Sequence, residues 1–167
     1  MKLKFVLLGM AIVTGMGLEK SSATPFRYLL TIDDSNLSAV TITATGTAAA
    51  ANDSSVEGRI GVEMLGFFSQ DQYNLYNEFP ANPALFGSGM TLSYNCIAAD
   101  NYSTDAGAYL DLGFFVNDAS PAANDPQTFS TTQPAFSGSW TIDFLSFGVD
   151  SSALPAAGSH GQILTGY

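Results

Sequence analysis

The sequence predicts an all-β protein: a single-domain antiparallel β-sandwich of jelly-roll type over residues 24–167, preceded by a secretory leader at residues 1–23. Three observations lead there. Apolar and polar residues alternate along several short stretches, the period of a strand with one face buried. Asp, Asn, Ser, Gly and Pro gather between those stretches, where turns need them. No stretch sustains the 3.6-residue periodicity of an amphipathic helix.

The leader comes first. Lys2 and Lys4 precede an apolar run, Phe5 to Leu18, and Ser21 and Ala23 supply the small residues a signal peptidase requires before a cut at Ala23–Thr24. A spanning helix needs about 20 apolar residues, so this run is short for a permanent anchor. The expectation is export, with no membrane span in the mature chain and a location that is secreted, at the cell surface or periplasmic.

Two strands then form a hairpin. In FRYLLTID, Phe26, Tyr28, Leu30 and Ile32 alternate with Arg27, Leu29, Thr31 and Asp33. DDSN turns the chain, and LSAVTITATGT follows, with Val40, Ile42 and Ala44 opposite a row of Thr41, Thr43, Thr45 and Thr47. AAAANDSS reads as a connection. VEGRIGVEMLGFF gives the next strand, with Val56, Ile60, Val62, Met64 and Phe68 inward and Glu57, Arg59 and Glu63 outward. Ser69 to Gly89 reads as a long ordered loop. Further strands are expected at Met90–Ala98, Ala108–Val116, Gly138–Phe147 and Gln162–Tyr167, with a weaker one at Thr128–Thr132.

Composition bounds the function. The formal net charge is −10. Without residues 1–23 the cations left are Arg27 and Arg59, against fourteen carboxylates, for a net charge of about −12. Such a surface repels nucleic-acid backbones and anionic lipid, and neither is expected as a partner. Charged residues make up 12 % of the chain, about half the usual share, so Ser, Thr, Asn and Gly carry solubility. The single cysteine, Cys96, cannot close an internal disulfide and is expected as a small buried apolar residue. It also lies far from the leader, where a lipoprotein would need it.

Four constellations bear groups capable of chemistry. The threonine row would suit ice only if repeated over many strands, so it reads as solvated sheet surface. His160 is the only histidine; no G-x-S-x-G elbow accompanies it, and it reads as a surface-loop residue. Carboxylate pairs of the glycosidase kind, Glu57 with Glu63 or Asp111 with Asp143, match what any solvated sheet displays. No metal site is expected, although Asp33–Asn36 and Asp100–Gly107 place oxygen ligands in loops and leave calcium open. Asx-turn chemistry explains both segments equally well.

Aromatic residues offer the one candidate binding surface. Tyr73, Tyr76 and Phe79 fall in the long loop, where exposed rings beside Asp and Asn would suit a carbohydrate, whereas Trp140, in step with Ile142 and Phe144, belongs to the core. Asn36, Asn52 and Asn101 each begin an Asn-x-Ser triplet, an acceptor for N-glycosylation in a eukaryotic secretory route. The expected function is therefore that of an exported, non-enzymatic surface, adhesive or matrix-like structural protein without a cofactor, associating with itself or with other surface proteins. A carbohydrate-binding, lectin-like module using Tyr73 and Tyr76 is the alternative, and a secreted hydrolase is third.

Overall fold

A computed structural model describes residues 5–9, 27–55, 60–78, 84–90, 92–100, 108–116 and 127–165. Twelve strands fall within them: β1 (Phe5–Gly9), β2 (Arg27–Asp33), β3 (Val40–Ala44), β4 (Asp53–Ser55), β5 (Ile60–Leu65), β6 (Tyr76–Glu78), β7 (Ala84–Gly87), β8 (Cys96–Asp100), β9 (Asp111–Val116), β10 (Gln127–Phe129), β11 (Phe136–Ile142) and β12 (Gln162–Thr165). Helical structure among these residues is limited to three 3-10 turns, at Leu37–Ala39, Leu145–Phe147 and Ser151–Ala153. The all-β expectation holds. No helix among the described residues is long and apolar enough to cross a membrane.

Ten strands form one sheet in the order β6-β8-β9-β5-β12-β1-β2-β3-β11-β7, and β10 with β4 forms a second. Every pairing is antiparallel except β1 with β12. The hairpin of β2 and β3 is the one the alternation predicts, with Ile32 opposite Ile42 and Thr31 opposite Thr43. Leu30, Ile32, Val40 and Ile42 are fully buried. They join Val62, Met64, Leu112, Phe114, Phe136, Trp140 and Ile142 in one core, where the rings of Phe114 and Trp140 lie 5.7 Å apart. Each such Leu, Ile or Phe contributes about 1.5–3 kcal/mol over its exposed state.

Strand β9 is buried on both faces. Leu112 and Phe114 enter the main core, while Phe115 packs in a second cluster with Cys96 and Ala98. This second cluster corrects three expectations. Glu63, expected outward in water, is fully buried, as is Asp111, because the face of β5 and β9 that bears them is covered. The strand expected at Met90–Ala98 would put Tyr94 and Cys96 on one face, yet Tyr94 lies in the main core and Cys96 in the second cluster. Only Cys96–Asp100 pairs as a strand; at Tyr94 the chain has turned the phenol inward to reach Gln127, 3.1 Å away. Cys96 is buried, as expected.

The supposed long loop contains β6, paired with β8, and β7, paired with β11. Tyr76 is accordingly a strand residue, opposite Ala98. AAAANDSS and the weak Thr128–Thr132 prediction resolve into β4 and β10, which pair with each other. Val56, Glu57, Arg59, Phe79, Asn101 and the leader's cleavage region lie outside the described residues. Strand β1, by contrast, falls within the stretch read as leader and sits between β2 and β12.

Candidate functional site

The best-braced exposed surface is the loop from Gly66 to Leu75. Its base is anchored by Phe67 and Phe68, both buried, with rings edge to face at 4.9 Å. Asp111 accepts the Gly66 backbone N–H at 2.6 Å, which gives that buried carboxylate a structural duty. The Phe68 N–H donates to the Leu110 carbonyl at 2.8 Å, and the Ser69 N–H donates to that of Ala153 at 2.8 Å. The Ser69 hydroxyl reaches the Ser152 carbonyl at 2.9 Å, and the Gln70 amide reaches the Ser152 hydroxyl at 3.1 Å. Buried Leu75 closes the loop with its N–H on the Gln72 carbonyl at 2.8 Å.

At the tip, one oxygen of Asp71 accepts two backbone N–H groups, from Tyr73 at 3.1 Å and from Tyr109 at 3.3 Å. The Gln72 N–H donates to the Tyr109 carbonyl at 3.1 Å. One carboxylate therefore ties together two exposed tyrosines distant in sequence. Tyr73 is 67 % exposed and Tyr109 37 %. Sequence reasoning found Tyr73 and missed Tyr109, since nothing local links residue 109 to residue 71. Tyr76 is also exposed; it lies on β6 with its ring 6.4 Å from that of Phe115, and its N–H donates to the Asn74 carbonyl at the end of the loop. A braced loop presenting tyrosine faces beside Asp71, Gln70 and Asn74 can stack on the apolar face of a sugar and hydrogen-bond its hydroxyls.

The threonine row is shorter along its strand and broader across the sheet than the sequence suggests. β3 ends at Ala44, and the Thr45 hydroxyl turns back to the carbonyls of Tyr28 and Leu29 and to Thr47. Register then extends Thr43 sideways, to Thr31 on β2 and Ser139 on β11; Thr41 likewise lies between Asp33 and Thr141. The Thr41 and Thr141 hydroxyls are 3.3 Å apart, and Thr31 donates to the Thr43 carbonyl at 3.4 Å. The result is a hydroxyl-bearing face over three strands.

His160 is exposed, with its ring 5.6 Å from that of Tyr28. It borders a pocket of about 230 Å³ lined by Leu65, Gly66, Phe67, Pro155, Ser159, His160 and Gly161, none of them acidic. The proposed carboxylate pairs do not survive as solvated pairs. Glu63 and Asp111 are buried, and Asp143 accepts the Ser146 N–H at 3.1 Å on the surface. The Asp33–Asn36 segment shows the expected Asx turns: Asp33 accepts the Ser35 N–H at 3.2 Å, and Asn36 accepts that of Ser38 at 3.2 Å. Among the described residues, no three His, Cys, Asp or Glu side chains gather around a point that could hold a metal ion.

No family model, curated protein or solved structure matches this chain.

Proposed function

We propose that the chain is an exported, non-enzymatic surface protein with an adhesive or matrix-like structural role, its strands stacked as a β-sandwich. The observation that carries the reading is the hydroxyl face of β2, β3 and β11. Thr31, Thr41, Thr43, Ser139 and Thr141 stand on paired strands, where backbone hydrogen bonds hold them in fixed positions. Such a face makes many weak polar contacts and needs no cofactor. The stacking is supported by the Phe114–Trp140 contact between β9 and β11, strands separated by five others in the sheet order.

The test is protease shaving of intact cells of the native source, with mass spectrometry of the released peptides and of the mature N-terminus. Release of peptides from this chain, together with an N-terminus at Thr24, is the expected result. Retention inside the cell with residues 1–23 attached would overturn it. Thr43→Lys and Thr141→Lys, which place charge on the hydroxyl face without touching the core, should reduce retention at the surface.

A second reading, a carbohydrate-binding module, is favoured by one observation: Asp71 accepts the backbone N–H groups of Tyr73, on the braced loop, and of Tyr109, on a separate segment beside it. A stacked ring contributes about 0.5–1.5 kcal/mol, or about two- to tenfold in Kd. In a glycan-binding screen, Tyr73→Ala and Tyr109→Ala should each weaken binding by that factor, and Tyr76→Ala reports whether the exposed ring on β6 shares the surface. Absence of binding across the screen would remove this reading.

A further inference from the structure

Strand β1 occupies a place that export would vacate. Phe5–Gly9 pairs antiparallel with β2, placing Phe5 opposite Ile32, Val6 opposite Thr31, Leu7 opposite Leu30 and Gly9 opposite Arg27. On its other side it runs parallel to β12, with Leu8 opposite Gln162 and Gly9 opposite Ile163. In the sheet order, β1 alone joins the block β6-β8-β9-β5-β12 to the block β2-β3-β11-β7. The same five residues begin the apolar run of the leader.

We propose that, once the leader is removed, the slot between β2 and β12 receives an extended apolar strand from another polypeptide. This rests on the export reading above. Strands flanking a missing neighbour stand about 9.5 Å apart, twice the interstrand spacing, so the gap admits one strand and no more. Both of its walls then carry unpaired backbone N–H and C=O groups, an arrangement that recruits a strand. The floor is apolar, because Leu30, Ile32 and Ile163 are buried.

The chemistry of the occupant follows from the register of β1. It runs antiparallel to β2 and parallel to β12, carries apolar residues opposite Leu30 and Ile32, and is uncharged throughout. The last residue, opposite Arg27, is glycine in β1, and a small residue is expected there in a donor. The Arg27 guanidinium is already engaged with the Ala49 carbonyl at 2.9 Å, so it does not call for an acidic partner. The donor is thus a partner segment of the Phe-Val-Leu-Leu-Gly type, bound mainly through its backbone.

The experiment uses the exported protein as cells release it. Intact mass first fixes the N-terminus. Amide exchange of β2 and β12 is then followed with and without a synthetic peptide spanning Lys4–Met10. At a free concentration about ten times its Kd, the peptide should slow exchange at the slot-facing amides about tenfold. The peptide bearing Leu7→Asp should have no effect. A cleaved protein that ignores the Lys4–Met10 peptide would overturn the proposal and leave the export reading intact. An exported protein that still carries residues 5–9 would overturn both. Protection that appears without peptide and rises with protein concentration would assign the slot to a second copy and overturn the assignment to a separate partner.

Discussion

Gly138 provides the sharpest test of the sheet order. It lies on β11 opposite Leu85 of β7, with φ +83°. A Cβ built there would fall on the Ala84 carbonyl oxygen of β7, so Gly138→Ala faces two costs. The left-handed backbone costs about 1–2 kcal/mol for a residue with a Cβ. Displacing β7 adds about 1–3 kcal/mol, as overpacking of a fitted interior does. Gly158 separates the two: its φ is +79°, and a Cβ there meets nothing within 4 Å. Gly158→Ala should therefore cost about 1–2 kcal/mol and Gly138→Ala about 2–5 kcal/mol. In a domain of this size each kcal/mol lowers Tm by about 2–4 °C. Urea and thermal unfolding of both variants provide the measurement, and limited proteolysis at β7 reports which strand is released. Equal losses for the two variants would refute the close approach of β7 to β11 at this point, and with it the placement of β7 at that end of the sheet.

Four further outcomes follow from buried or partly buried groups. Tyr94→Phe leaves the Gln127 amide oxygen unpaired in a buried site and should cost about 1–3 kcal/mol, whereas replacing Gln127 by Met in the same chain should cost less than the two single changes summed. Burial pushes the Tyr94 phenol well above its usual 10, so the folded state keeps a proton that the unfolded state releases; stability should fall as pH rises above about 10, and Tyr94→Phe should flatten that alkaline limb of the melting curve. Burial, and then Asp33 beside it, raise the Asp34 carboxyl above 3.8 against an opposing backbone hydrogen bond. Its contribution is thus most favourable below the unfolded value and is lost as pH rises through the folded one. Asp34→Asn should raise stability slightly at neutral pH and leave it unchanged at pH 3, by urea titration at both. Finally, buried Cys96 should react with a thiol reagent only across the unfolding transition, and reaction with the native protein at the rate of a free thiol would contradict its place beside Phe115.

The parts of the fold legible in the sequence are those whose alternation runs long enough to be unambiguous. β2 and β3 show it and pair as their pattern indicates, although Tyr28 at the start of β2 is exposed. In β11, Trp140 and Ile142 are buried in step, but the strand stops at Ile142. There the chain turns toward the 3-10 helix at Leu145–Phe147 instead of continuing extended to Phe147. β4, β6 and β10 have three residues apiece, and three residues carry no period. They become strands because β10, β8 and β4 offer backbone partners, a tertiary cause with no local trace. Glu63 and Asp111 mislead for a related reason. A carboxylate at every second position signals water only if that face is uncovered, and here the same face holds Cys96, Ala98 and Phe115 in a second apolar cluster. The loop site was half legible. An exposed tyrosine beside Asp71 is a local pattern, but Tyr109 joins it through the fold alone.

Strand β1 is the case in which one pattern supports two outcomes. Five apolar residues behind a lysine satisfy a leader and a central strand equally, and no rearrangement of the composition separates them. Order of synthesis does. The parallel partner of β1 begins at Gln162, and at about 5–20 residues per second it follows Gly9 by roughly 8–30 s. Closing so long a loop is also slow, because pairings distant in sequence form late. During that interval the apolar run has no completed slot to enter, and recognition as a leader needs none. Under the export proposed above, the race favours the leader over incorporation, and the slot would be completed on the far side of the membrane, after its first occupant has been removed.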